Sequence, residues 1–433
     1  MPTASDLTAP AIDTVTAPTR TQPSSRHRLL ETSADLFWTR GYRATTTRQI
    51  AAVLGLQQAS LYHHVASKED LLFEICRAAL AELLNAAETS VAGVTDPLER
   101  LKHLVRAALS TQLQNQKTHA TMAFELRSVS NARRGELLAA FDRYRDLARQ
   151  VIAEAQDAGA LRRDIEPRYF ALSLWNIMSW VLLWYRPDGT FTRDALAGHI
   201  LDLWLNGVSA DRAAAWALCP VTTEPDVSPD TASQDDAASR TADRVLDVAA
   251  SLFRTKGYDA ATAREIASVL GIQKASLYHH TRGKGHLLYQ ICSDSLVGLR
   301  RDAEAAVAEA DPATPLDRVR RLAVGHVTSL LRHQDQHATS LLELRALSGD
   351  EREHVAALRE SHEHFVRDVL EDGRRAGSIR ADLPVGMLAL HLFNLTNRSM
   401  LWFDREGPLS PERLADVFAA MYLAGIASRP SVQ

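Results

Sequence analysis

Apolar residues recur along this chain at three- and four-residue spacing, the period of helices with one buried face. Leu29, Leu30, Ala34, Leu36 and Phe37 mark such a face, and Gly41 supplies its stop. Thr46 with Gln49, and Thr262 with Glu265, have the spacing of a capping box, so a short helix starts at each. Gly55 and Gly271 fall where that helix must turn tightly, because glycine accepts the left-handed conformation without steric cost. Another short helix is expected over residues 58–64, which completes a helix-turn-helix. From Asp96 and from Thr314 onward long amphipathic helices follow, with Gly159 and Gly377 ending one of them in each case. The fold expected is all-α.

Residues 28–76 align without gaps to residues 244–292, with 28 of 49 positions identical. The likeness continues from 97–207 to 315–425 at 32 of 111 positions. A subunit of about two hundred residues has been duplicated whole, which suits a 433-residue chain too long for one core. Residues 1–25, rich in Thr, Pro, Ala and Ser, are expected to be a disordered tail, and residues 209–239, with PVTTEPDVSPDTASQDD, a linker. Extended, such a linker spans up to about 100 Å, so it barely restricts the placement of the halves. The remaining expected domains are 26–76 and 240–292, which carry the helix-turn-helix, and 77–208 and 293–428, which carry the long helices.

The composition, 46% apolar and 24% charged, is that of a soluble helical protein. No apolar run approaches the roughly eighteen residues of a membrane span, so no membrane association is expected and the cytoplasm is the default compartment. Three cysteines, Cys76, Cys219 and Cys292, make neither a disulfide framework nor paired zinc spacing, and Cys76 and Cys292 are expected to be inert core thiols. His63 and His64 diverge as helix neighbours, so no metal site is expected there. Paired carboxylates, a nucleophile elbow and a phosphate loop are all missing, which argues against an enzyme and calls for no cofactor. The net charge of -4 hides a local excess of cations. Residues 20–68 hold seven Lys or Arg against two acids, and residues 240–284 hold eight against four. A phosphate backbone feels that local excess, since charges beyond about 10 Å are screened.

The segments TTTRQIAAVLGLQQASLYHHVASKEDLL and ATAREIASVLGIQKASLYHHTRGKGHLL resemble the N-terminal signature of the TetR (AcrR-like) family, in which a Leu-Tyr pair, a nearby His and a Ser-Lys follow the turn. The resemblance implies tandem TetR-like units, each a three-helix DNA-binding domain followed by a helical ligand-binding and dimerisation domain. The partner implied is a double-stranded, pseudo-palindromic operator. Gln57, Gln58, Ala59 and Ser60 are then the base-reading turn, and Gln273, Lys274, Ala275 and Ser276 its second copy. Gln suits adenine, Ala permits close approach or a thymine methyl contact, and Lys274 suits guanine or a phosphate. Thr46, Thr47, Tyr62, His63 and Lys68 match family positions that grip phosphates, as do Thr262, Tyr278, His279 and Lys284. The second copy departs at Ala263 for Thr47, at Gly283 for Ser67 and at Gly285 for Glu69, so its next helix should start less firmly.

In this family the last two helices of each subunit form a four-helix bundle with a partner. By position these are residues 168–185 with 192–208, and 384–403 with 411–426, whose Trp, Phe and Tyr content suits a buried pairing surface. The halves could pair within one chain as a pseudo-dimer, or two chains could pair as a homodimer. A patch repeated as HATMAFELRS and HATSLLELRA keeps His119, Glu125 and Arg127, and His337, Glu343 and Arg345, at one spacing. These residues either orient the polar head of a ligand or form Glu-Arg pairs along the helix with a packed His. Phe124, Trp175 and Met178 either line an apolar pocket or belong to the core. The expected function is a repressor released by a small-molecule effector, for which family habit points to an apolar or acyl-type compound. The rival is an interaction or ligand-sensing scaffold whose second reader no longer binds DNA.

Overall fold

The computed structural model describes residues 25–63, 65–208, 237–311 and 314–426. Residues 1–24 of the expected tail, residues 209–236 of the expected linker, with Cys219 among them, and His64 lie outside them. Every extended element among the described residues is a helix.

The first half opens with α1 (Ser25–Arg40), α2 (Thr47–Leu54) and α3 (Gln58–Leu61). Thr46 Oγ1 accepts the Gln49 N–H while the Gln49 side chain accepts the Thr46 N–H, so two of the free donors at the start of α2 are satisfied. Gly55, at φ 68°, ends α2 in the left-handed conformation. The helix α3 stops three residues short of the expected 64. The bonds Tyr62 N–H to Ala59 O and His63 N–H to Ser60 O tighten the chain into a three-residue turn there. Ser67 then caps α4 (Lys68–Val91) by accepting the Asp70 N–H. The boundary expected at residue 76 falls inside α4, which runs unbroken from the helix-turn-helix domain, or reader, into the expected ligand-binding, or sensory, domain. That domain adds α5 (Pro97–Gln114), α6 (Gln116–Glu125), α7 (Asn131–Asp157), α8 (Pro167–Trp184) and α9 (Arg193–Val208).

The second half repeats the order as α10 (Ala237–Lys256), α11 (Ala263–Leu270), α12 (Lys274–Leu277), α13 (Lys284–Ala308), α14 (Pro315–Arg332), α15 (Gln334–Glu343) and α16 (Gly349–Arg375). The capping box at Thr262 and the turn at Gly271 recur. Gly283 provides no side-chain cap for α13, as its sequence implies, and the Thr281 hydroxyl instead closes a local loop onto the Gly283 backbone. The expected single helix 384–403 is divided into α17 (Val385–Thr396) and α18 (Ser399–Trp402), followed by α19 (Pro411–Ile426). The break is at Asn397 and Arg398, both of whose side chains are engaged in the interior.

The halves pair within the chain: α8 packs on α17 and α9 on α19, a four-helix bundle. One apolar core runs from the first reader through both sensory domains, while the second reader has a core of its own. Reciprocal hydrogen bonds seal the bundle. Trp184 Nε1 donates to Asn394 Oδ1 at 2.8 Å, and Trp402 Nε1 donates to Asn176 Oδ1 at 2.7 Å. Asn176 also donates to the Leu395 carbonyl at 2.8 Å. Cys76 and Cys292 are buried free thiols, their pKa values pushed up by burial to about 12 and about 11.

Candidate nucleic-acid interface and sensory cavities

Each reader seats its third helix by one buried leucine, Leu61 or Leu277, set among buried Phe37, Ile50 and Leu71 or Phe253, Ile266 and Leu287. That anchor turns the opposite face to solvent. Gln57, Gln58, Ala59 and His63 are exposed and Ser60 partly so, and Gln273, Lys274, Ala275, His279 and Ser276 repeat the arrangement. Tyr62 and Tyr278 remain about half exposed, at 48% and 49%, so neither is a core aromatic. In the first reader Thr47 Oγ1 accepts Gln58 Nε2 at 3.1 Å and lies 3.3 Å from the Tyr62 hydroxyl, tying the start of α2 to α3. In the second reader Ala263 removes that link, and the Lys274 ammonium stands 5.9 Å from the Tyr278 ring.

Lys68 and Lys284 do not stand free on this face. Lys68 Nζ donates to the carbonyls of Tyr42, Arg43 and Thr45 at 2.8, 3.3 and 2.9 Å, which uses all three of its N–H donors. It also lies 4.4 Å from the Tyr42 ring. Lys284 repeats the contacts to the Tyr258 and Asp259 carbonyls. These ammonium groups close the turn between the first two helices of each reader, where they are engaged with backbone carbonyls. Exposed Arg48 and Arg264, in the first turns of α2 and α11, are cations at equivalent places that sequence reasoning passed over.

The repeated His-Glu-Arg patch divides its labour. Thr121 and Thr339 donate to the carbonyls of Ala34 and Ala250, fixing each sensory domain to the first helix of its own reader. The Glu-Arg pairs, expected along one helix, run between the halves. Arg345 donates to Glu125 at 2.6 Å, and Arg127 donates to Glu343 at 3.1 Å. Both rows have an arginine two residues past the glutamate, beyond the end of the α-helix in a 3-10 turn, which aims it outward at the other half. Glu125 also accepts the Tyr42 N–H of the first reader, and Arg127 donates to the Arg254 carbonyl at the end of α10. The Arg345 guanidinium lies over Gly41, and Arg43 lies over Gly257. The bends after α1 and α10 are therefore clasped together. Burial raises the pKa of Glu343 despite Arg127 beside it.

Among the described residues, two of the cavities are lined by both halves. The larger, about 520 Å³, is walled by α6, α7 and α8 of the first half and by Arg254, Leu342, Arg398 and Leu401 of the second. Phe124 and Trp175 line it as expected; Met178 does not, being fully buried with the Tyr144 hydroxyl against its sulfur. Glu125 and Glu343 line neither this cavity nor the smaller one, and the clasp engages both. His119 is fully buried, its Nε2 3.5 Å from the Glu82 carboxylate, and lines neither cavity. The smaller cavity, about 230 Å³, lies mostly in the second half, with Trp180, Leu183 and Trp184 of the first half in its wall. His337 lines it, with His326 and His362. His326 Nδ1 is 3.2 Å from His362 Nε2, and His326 Nε2 is 2.8 Å from Asn397 Oδ1. Burial depresses all three, His326 to about 4, His337 to about 3, and His362 well below its ordinary value.

A family model described as "Bacterial regulatory proteins, tetR family" matches residues 29–75 and again 245–291. One described as "Tetracyclin repressor-like, C-terminal domain" matches residues 94–208 and 312–426. The HTH-type transcriptional repressor KstR2 of Rhodococcus jostii (strain RHA1) is 33% identical over 187 residues, 43% of this chain and 91% of that protein. KstR2 of Mycolicibacterium smegmatis is 31% identical over 202 residues, 46% and 96%. The solved structure of the ketosteroid transcriptional regulator KstR2 of Mycobacterium tuberculosis has 25% identity and a TM-score of 0.42, covering 46% of this chain and 100% of that one. Each relative, nearly whole, corresponds to less than half of this chain.

Proposed function

The chain belongs to the tetR family of bacterial regulatory proteins, and on that premise we propose that its two halves act as one repressor whose readers grip the two arms of a single pseudo-palindromic operator. It is a DNA-binding regulator with tandem helix-turn-helix domains. The observation that supports the single-chain reading is the clasp: Glu125 with Arg345, and Glu343 with Arg127, hold two outward-facing readers in one body. Gln57 to Ser60 and Gln273 to Ser276 supply the base-reading turns. Thr46, Thr47, Tyr62 and His63, with Thr262, Tyr278 and His279, supply phosphate contacts. Arg48 and Arg264 extend that set.

The position of the larger cavity supports release by a small molecule. Arg127 is both a cavity wall and a clasp member, and Arg254 and Thr255 bring the end of α10 into the same wall. An occupant that favours another arrangement of Arg127 changes the spacing of the readers, and half-sites on DNA lie one helical turn of about 34–36 Å, or a multiple of it, apart. Coupling between the sites is then reciprocal, with DNA weakening the effector as the effector weakens DNA.

The test is binding of the full chain to the DNA upstream of its own gene over a salt series. Tyr62→Ala and Tyr278→Ala should each weaken binding, and the affinity should fall steeply with salt. A Tyr278→Ala protein that binds as tightly as the parent favours the scaffold reading, in which the second reader is silent.

A further inference from the structure

Four arginines face the larger cavity, and no acid does. Three of them are answered elsewhere. Arg127 meets Glu343 and the Arg254 carbonyl, Arg134 donates to the carbonyls of Arg127 and Val129, and Arg254 pairs with Asp335 at 2.7 Å. Arg398 is different. It is only 9% exposed, its Nη2 donates to the Ala123 carbonyl at 3.0 Å, and its Nη1 is buried without a partner. Aromatic faces surround it, with the Phe124 ring 5.2 Å and the Trp175 ring 5.5 Å from Cζ. Burial alone lowers its pKa to about 10, which leaves it charged at neutral pH. A buried guanidinium without a counter-ion is unfavourable unless something supplies the charge and the missing acceptor.

We propose that this cavity binds one anionic amphiphile per chain, an oxyanion head on an apolar body, with the head on Arg398 and the body against Phe124, Phe141 and Trp175. The volume of about 520 Å³ lies within the ordinary range of small-molecule sites, about 300–1,000 Å³. The head group is held by the second half and the body by the first, so the ligand bridges the halves. It also lies against the end of α10, so a molecule bound in the first sensory domain reaches the second reader.

The stoichiometry follows from the repeat. Aligning residues 97–207 with 315–425 places Trp180 opposite Arg398, and Trp180 lines the smaller cavity from the first half. The same crossing of the bundle therefore delivers a cation to one cavity and an indole to the other. Arg359 of the smaller cavity has the Glu363 carboxylate in the same wall to favour its charge, whereas no acid shares a wall with Arg398. At about 230 Å³ it also falls below the usual size.

This inference rests on the effector-controlled reading above but is tested apart from it, with full-length protein and no DNA. Decanoate, decyl phosphate and decanol serve as probes of equal chain length, titrated by calorimetry and by Trp fluorescence. The expected result is one equivalent of decanoate or decyl phosphate, with decanol at least about tenfold weaker, and the tighter anion identifies the head. Arg398→Gln should abolish the preference for the anion and Arg398→Lys should keep part of it. Both variants should melt no lower than the parent, since they relieve or preserve an unanswered charge. Equal binding of decanol and decanoate, two equivalents per chain, or an unchanged preference in a folded Arg398→Gln protein would overturn the proposal. Failure here leaves DNA binding untouched, and failure of the operator titration leaves the ligand site untouched.

Discussion

Glu125→Gln is the sharpest perturbation of the clasp, because it removes a charge and leaves the shape. The Glu125 side chain is 5% exposed and Arg345 38%, so the pair lies between a buried and a surface ion pair. Breaking buried pairs costs about 3–5 kcal/mol and losing exposed ones about 0–1, which puts this loss at about 1–3 kcal/mol. A glutamine oxygen can still accept the Tyr42 N–H, and its amide can donate to the Ser128 hydroxyl that donates to Glu125 in the parent, so most of the loss should trace to Arg345. A double-mutant cycle with Arg345→Gln isolates the term, read in thermal melts and in DNA affinity by fluorescence anisotropy. The coupling in stability should be about 1–2 kcal/mol, and each single variant should weaken DNA binding with little change in its salt slope, because no phosphate contact is lost. Additive effects within about 0.3 kcal/mol would show that the clasp does not couple the halves.

Lys68→Met should destabilise the first reader by about 1–3 kcal/mol, because three carbonyls lose their donor, and a lowered melting temperature with an unchanged salt slope would bear that out. Arg48→Gln should do the opposite, lowering the salt slope by about one while leaving the melt in place. Asn176→Ala leaves the buried Trp402 N–H without its acceptor, at a cost of about 1–3 kcal/mol read in a denaturant melt. The buried histidines His326, His337 and His391 have folded pKa values of about 4, 3 and 3, below their ordinary value. Their unfolded forms take up protons first as pH falls, so the stability they contribute is present above about pH 6.5 and is lost toward pH 4. A melting temperature flat over that window would refute it, and His326→Gln should shrink the drop.

The helices of both readers were legible in the residues themselves, since a capping box, a left-handed glycine and a buried leucine are local devices. The duplication was equally plain, and it placed the pairing helices within a residue or two of their actual ends. What the sequence did not show is set by contacts far apart in the chain. The break at Asn397 and Arg398 arises because both side chains turn inward, a tertiary effect that overrides an apolar helical pattern. The spacing of Glu125 and Arg127 looked like a helical pair, yet the 3-10 turn at Leu126–Ser128 sends the arginine to the other half. Lys68 matched a family position, but only the fold brings the Tyr42, Arg43 and Thr45 carbonyls around its ammonium. One signal was available and unused: Arg398 stands in an apolar helical run where its repeat equivalent is Trp180, a charge that the interior must answer.

The central claim is that one chain supplies both readers. Light scattering of the protein on an operator duplex carrying both arms, with protein and DNA counted separately, tests it directly. The account predicts one chain per duplex, with Tyr62→Ala and Tyr278→Ala each exposing a different arm in a footprint. Two chains per duplex, each contributing a single protected arm, would contradict it.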